Sequence, residues 1–135
     1  MPYTLRDHTA DIAVEATGET IDDVFGAVAD GMAGAMCDEI PDSGDSYTLS
    51  VVAESREAVL FDYLDELIYE RDVRLVLPVD NRATVEDGEE WTVSATYRGV
   101  PLTDVSARDL KAVTYSEMEI SERDDGWFAY VVFDV

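Results

Sequence analysis

Ser55-Arg56-Glu57-Ala58-Val59-Leu60-Phe61-Asp62-Tyr63-Leu64-Asp65-Glu66-Leu67-Ile68 carries the clearest periodicity in the chain. Leu60, Tyr63, Leu64, Leu67 and Ile68 recur at three- and four-residue spacing, which puts them along one side of an α-helix. Phe61 widens that stripe. Ser55 has the short hydroxyl of an N-cap, and Glu57 places a negative charge in the first turn, where the helix dipole favours it. A helix with one apolar side needs an apolar surface to lie on, and the flanking sequence supplies strands.

Upstream, Tyr47, Leu49, Val51 and Ala53 alternate with polar neighbours, the two-residue period of a strand. Asp38 to Asp45, with Pro41 and Gly44, is a loop. Before it, Thr20 reads as the N-cap of another helix, with Asp22 and Asp23 in its first turn. Ile21, Val24, Phe25, Val28 and Met32 form its apolar face, and Gly26, Gly31 and Gly34 let it approach a sheet closely. Thr4 to Ala16 reads as one extended element, broken at Thr17-Gly18.

Downstream, Val73-Arg74-Leu75-Val76-Leu77 reads as a strand leading to Arg82-Ala83-Thr84-Val85. Trp91, Val93, Ala95 and Tyr97 alternate cleanly. Val100-Pro101-Leu102-Thr103-Asp104 reads as a connection whose apolar residues are candidates for contact with a partner. Ala112 to Ile120 and Gly126 to Phe133 are strands about Asp125-Gly126, a two-residue hairpin signal. Phe128, Tyr130, Val132 and Asp134 share one face of the last strand. The order predicts an α+β fold, with two helices on one face of a mainly antiparallel sheet. A length of 135 residues suits one domain, 1–135.

The net charge is −22, from 31 acidic and 9 basic residues. A folded chain of this size exposes roughly 7,000 Å², so the surface repels itself unless salt screens it. The acidic residues are scattered rather than blocked, which points to a halophilic protein. No basic stripe exists, so broad binding to nucleic acid is not expected. There is no apolar run long enough for a membrane span and no signal-peptide core in the first residues. Cys37 is the one cysteine, which excludes an internal disulfide. Together these predict a cytoplasmic location.

Standard nucleotide, zinc-protease and hydrolase signatures are absent. Two features stand out. His8-Thr9-Ala10-Asp11 lies near one end of the chain and Phe133-Asp134-Val135 at the other. If the first and last strands are neighbours, Asp11, Asp134 and an oxygen of Val135 converge. Such hard oxygen ligands suit Ca²⁺ or Mg²⁺. Lys111 is the one lysine among nine basic residues, and an ammonium there could neutralise carboxylates or meet a phosphate. His8 is a candidate base, ligand or orienting group.

His8-Thr9-Ala10-Asp11-Ile12, Leu60-Phe61-Asp62-Tyr63-Leu64-Asp65-Glu66-Leu67-Ile68-Tyr69, Lys111-Ala112-Val113-Thr114-Tyr115 and Phe133-Asp134-Val135 together resemble the archease family over the whole chain. The resemblance implies a fold of interwoven strand-helix-strand-strand modules. It implies an accessory protein rather than an enzyme, one that activates the GTP-dependent RNA ligase of tRNA splicing by promoting ligase guanylylation and multiple turnover. It implies a calcium-type ion held by Asp11, Asp134 and Val135, with His8 and Lys111 as motif residues. Ser116 stands where the family often has histidine. Two alternatives stay open: a metal-dependent phosphoesterase, and a chaperone or modulator of RNA-modifying enzymes.

Overall fold

The computed structural model describes residues 2–8 and 11–135, with the backbone alone at Arg6, Asp7 and His8. Eight strands and two helices follow one another as β1 (Tyr3–His8), β2 (Asp11–Gly18), α1 (Ile21–Met36), β3 (Asp45–Ala53), α2 (Arg56–Arg74), β4 (Val76–Asp87), β5 (Trp91–Pro101), β6 (Ala112–Val113), β7 (Glu119–Arg123) and β8 (Gly126–Asp134). The fold is α+β, and every strand pairing is antiparallel. The strands divide into two sheets where one was expected. One runs β1-β2-β8-β6, with β7 also on β8; the other runs β3-β5-β4. The helices connect them. α1 packs on β2 and β4, and α2 on β3, β4, β5, β6 and β7.

Both helices start where their caps predict. Thr20 Oγ1 accepts from the Asp23 amide at 3.1 Å, and Ser55 Oγ from the Ala58 amide at 3.0 Å. The α2 stripe is buried: Leu60, Tyr63, Leu64 and Leu67 have no exposed surface. Each such side chain contributes about 1.5–3 kcal/mol. The glycines of α1 bring the helix against the hairpin β1–β2. A Cβ on Gly31 would stand 2.5 Å from Val14 Cγ1, and one on Gly34 would stand 2.4 Å from the Tyr3 hydroxyl.

Four segments differ from the sequence reading. Thr4 to Ala16 is two paired strands, with Tyr3 opposite Ala16 and His8 opposite Asp11; Thr9 and Ala10 lie outside the described residues. Val73 and Arg74 continue α2 rather than opening a strand, because Arg74 Nε reaches back to Glu70 Oε1 at 2.9 Å. Leu75 then stops the helix in the left-handed region at φ 57°, a conformation that costs a leucine roughly 1–2 kcal/mol and that glycine or asparagine usually supplies. Ala112 to Ile120 is not one strand. β6 ends at Val113, and Glu117 at φ 56° turns the chain into β7. The hairpin β7–β8 forms, one residue earlier than expected. Arg123 pairs with Gly126, leaving Asp124 and Asp125 as its loop.

β8 is the hub. Its inward row is Ala129, Val131 and Phe133, all in the core with Ile12, Val14 and Ala16 of β2. The Phe128, Tyr130, Val132 and Asp134 row therefore faces the other way. β4 is continuous except for a bulge between Val79 and Arg82. There the Asn81 amide and side-chain N–H both donate to Asp30 Oδ1, at 2.9 and 3.0 Å, tying the sheet to α1.

Candidate functional site

Asp11 opens β2 and Asp134 closes β8, and the antiparallel register sets them directly opposite each other. Cross-strand partners project from the same face of a sheet, with Cβ atoms about 4.5–5.5 Å apart. The two carboxylates thus share the face turned away from the core, at one end of the first sheet. Val135 follows, exposed. His8 is the register partner of Asp11 on the other side; its side chain lies outside what the structure describes. The convergence of the two chain ends is therefore real at the level of strand pairing.

The Lys111 segment joins the same end from the opposite edge of β8. The Lys111 amide donates to Asp134 O at 2.9 Å, and Ala112 is the register partner of Asp134. Further along, Thr114 donates to Val132 O twice, from its amide and its hydroxyl, each at 3.0 Å. Tyr115 then stacks on Phe61 of α2, centroids 4.2 Å apart and nearly parallel. Burial and the carboxylates of Asp62 and Glu54 push the Tyr115 hydroxyl pKa upward.

Two arginines fix this segment. Arg71 is buried on α2 and donates to Leu110 O at 2.7 Å, the residue before Lys111. It also pairs with Asp72 at 2.9 Å and Asp109 at 3.6 Å. Arg108 Nε donates to Ala35 O at 2.6 Å, and its amide donates to Met36 O at 2.7 Å, so it closes the C-terminus of α1. Sequence reasoning missed both. Arg71 had a signal: it continues the Leu64, Ile68 spacing of the buried stripe, and a charge at such a position needs a partner.

The donor set decides what could bind between the aspartates. Among the described residues no group of three or more His, Cys, Asp or Glu side chains is arranged to hold a metal ion. Two carboxylates and a main-chain oxygen do not close the six to eight positions of calcium. A hard cation bound there would have to keep its remaining positions for water.

Other candidates are structural. Cys37 is buried, and its thiol donates to Glu39 O at 3.1 Å. The loop from Asp38 is largely exposed and held by Arg98, which donates to Pro41 O and Ser43 O. A cleft of about 950 Å³ runs between α1 and β4, lined by Asp22, Asp23, Asp30, Asn81 and Arg82 among others, and none of Asp11, Lys111 or Asp134 reaches it. Val100, expected in an exposed connection, is fully buried, and Pro101 and Leu102 are half-buried. Among the described residues, no helix is long and apolar enough to cross a membrane.

Residues 3–135 match the family model described as Archease protein family (MTH1598/TM1083). The chain is similar to the protein archease of Methanosarcina barkeri, 34% identical over 141 residues covering 98% of this chain and 95% of that one. It is 30% identical to the protein archease of Archaeoglobus fulgidus over the full length of both. Among solved structures, the solution structure of Methanobacterium thermoautotrophicum protein 1598 superposes with a TM-score of 0.86 at 25% identity, covering 99% of each chain. A Thermotoga maritima archease, described as a possible chaperone, shares the fold with a TM-score of 0.65 at 23% identity, over 96% and 94% of the two chains.

Proposed function

The chain belongs to the archease family, and from that premise we propose that it is an accessory protein that activates a GTP-dependent RNA ligase of tRNA splicing by promoting guanylylation of the ligase. What supports this reading is one arrangement: Asp11 opposite Asp134, with the main chain of Lys111 bound to Asp134. Asp11, Asp134 and the Val135 oxygen would hold a calcium or magnesium ion. Such an ion, when bound, neutralises phosphate charge and orients phosphate oxygens.

The remaining work falls to the chain's own groups. The two aspartates hold fixed positions because each sits in a paired strand rather than on a loop. Lys111 is exposed beside them, and its ammonium can meet a nucleotide phosphate as a point charge. Arg71 and Arg108 keep its backbone from drifting. Positioning and charge neutralisation are what nucleotidyl transfer requires. By the family resemblance His8, whose main chain pairs with Asp11, would orient that carboxylate.

The test mixes the protein with the ligase and GTP and follows formation of the ligase–GMP adduct. Asp11→Ala and Lys111→Ala should each slow it at least tenfold, about 1.4 kcal/mol, without unfolding the protein. Unchanged adduct formation by both variants would remove the assigned roles. A second reading, a chaperone or modulator of RNA-modifying enzymes, draws on the description of the Thermotoga relative. It predicts that both variants keep full effect on their partner, and that the partner is not the ligase.

A further inference from the structure

The three most exposed large apolar side chains among the described residues are Tyr69 at 58%, Val73 at 59% and Leu75 at 65%. They fall within seven consecutive residues, at the C-terminal end of α2. Tyr69 and Val73 are four apart on the helix and lie one above the other. Asp65 and Asp72 occupy the same side, at i−4 and i+3 from Tyr69. This is the reverse of the face that carries Leu60, Leu64 and Leu67 into the core.

Leu75 is the decisive residue. It takes the left-handed conformation at φ 57°, ψ 47° that ends the helix. Stability alone would place glycine or asparagine there. A leucine in this position carries backbone strain and still leaves most of its surface exposed. Two exposed apolar residues stacked on the last turns of the helix, followed two positions on by a strained and exposed leucine, indicate a surface kept for contact.

We propose that the C-terminal end of α2, centred on Tyr69, Val73 and Leu75, docks a protein partner whose surface offers an apolar pocket bordered by arginine or lysine side chains. The charge argues for that border. Asp65 and Asp72 lie on the Tyr69 side of the helix, Arg71 is shared between Asp72 and Asp109 and cannot neutralise both, and Arg74, between Val73 and Leu75, is already paired with Glu70. A second copy of this chain is a poor occupant. Each copy carries −22, and two such surfaces repel.

The proposal rests on the activator reading, so the ligase is the partner. It gives two tasks to two sets of residues: the α2 end grips the partner, and the Asp11–Asp134 pair acts on its nucleotide. The two are joined through α2 itself. Arg71, two residues before Val73, reaches under the surface to Leu110, next to Lys111.

The experiment measures affinity for the purified ligase and, in parallel, ligase–GMP formation. The panel is the unaltered protein, Leu75→Asn, the double variant Tyr69→Gln with Val73→Gln, and Asp134→Ala. Leu75→Asn suits the left-handed cap, so its melting temperature should hold or rise; this separates lost contact from lost folding. The expected result is binding weakened about tenfold or more in both patch variants. Asp134→Ala should bind normally and fail to stimulate. Patch variants that bind and stimulate like the unaltered protein would overturn the docking surface and leave the activator reading standing. Binding through the patch with no stimulation by the unaltered protein would keep the surface and end the activator reading. No binding of the ligase by the unaltered protein would end both. A dimer seen by light scattering and abolished by the patch variants would overturn the proposal in favour of self-association.

Discussion

Tyr63 buries its hydroxyl in the middle of α2 with no hydrogen-bond partner among the described residues. Burial, and more weakly the charge of Asp30, pushes its pKa far above the ordinary phenol value. Tyr63→Phe removes a polar atom that the interior leaves unsatisfied. Urea unfolding should show equal or greater stability, by on the order of 1 kcal/mol. Asp30 is a different case. Burial raises its pKa more than the two N–H bonds from Asn81 lower it. A carboxyl whose folded pKa lies above its unfolded value binds its proton better when folded. Its contribution to stability is therefore complete below the ordinary aspartate range and is lost as the pH rises through the folded value. Asp30→Asn keeps an oxygen for both Asn81 donors and cannot ionise. The melting temperature of the natural protein should fall relative to Asp30→Asn between pH 4 and pH 7, and a constant difference would refute this sign. The pairing of Asp11 with Asp134 was readable from their places near the two ends of the chain, whereas Lys111 stood out only as the one lysine and joined them through the family resemblance. Arg108 was not, because its role depends on backbone carbonyls at the end of α1 that no side-chain pattern reveals.

The helices were the most legible elements, since their caps and stripes are local. Strand boundaries were less so. Val73-Arg74-Leu75-Val76-Leu77 has strand-like composition, but the ion pair from Arg74 to Glu70 and the left-handed Leu75 decide where helix gives way to strand. The hairpin β1–β2 was hidden because both of its strands are extended and alternate alike. The glycines of α1 were correctly read as contact points, and one of them makes a sharp test. Gly31→Ala would push a methyl to within 2.5 Å of Val14 Cγ1 and 3.1 Å of the Tyr3 ring. Overpacking of that kind costs about 1–3 kcal/mol. Gly88, where a Cβ meets only Glu90 O at 3.6 Å, is the control, and its alanine variant should melt close to the natural protein.

Across the whole molecule, −22 is spread over 7154 Å² of surface, about 325 Å² for each net charge. The screening length falls from about 10 Å at 0.1 M salt to 3 Å at 1 M. The melting temperature should therefore climb steadily between those two potassium chloride concentrations. A flat response would mean that the acidic side chains are spaced too widely to feel one another. The fold class was legible from the order of elements. The division into two sheets was not, because it depends on which strands meet across long stretches of chain, and pairing of β2 with β8 leaves no local mark. That pairing has a consequence for biosynthesis. Asp134 leaves the ribosome more than a hundred residues after Asp11, which at roughly 5–20 residues per second is on the order of ten seconds. Until then β2 lacks its central neighbour, and the two aspartates are strangers. A nascent or prematurely ended chain therefore lacks the Asp11–Asp134 pair, and only copies translated through Asp134 can present it.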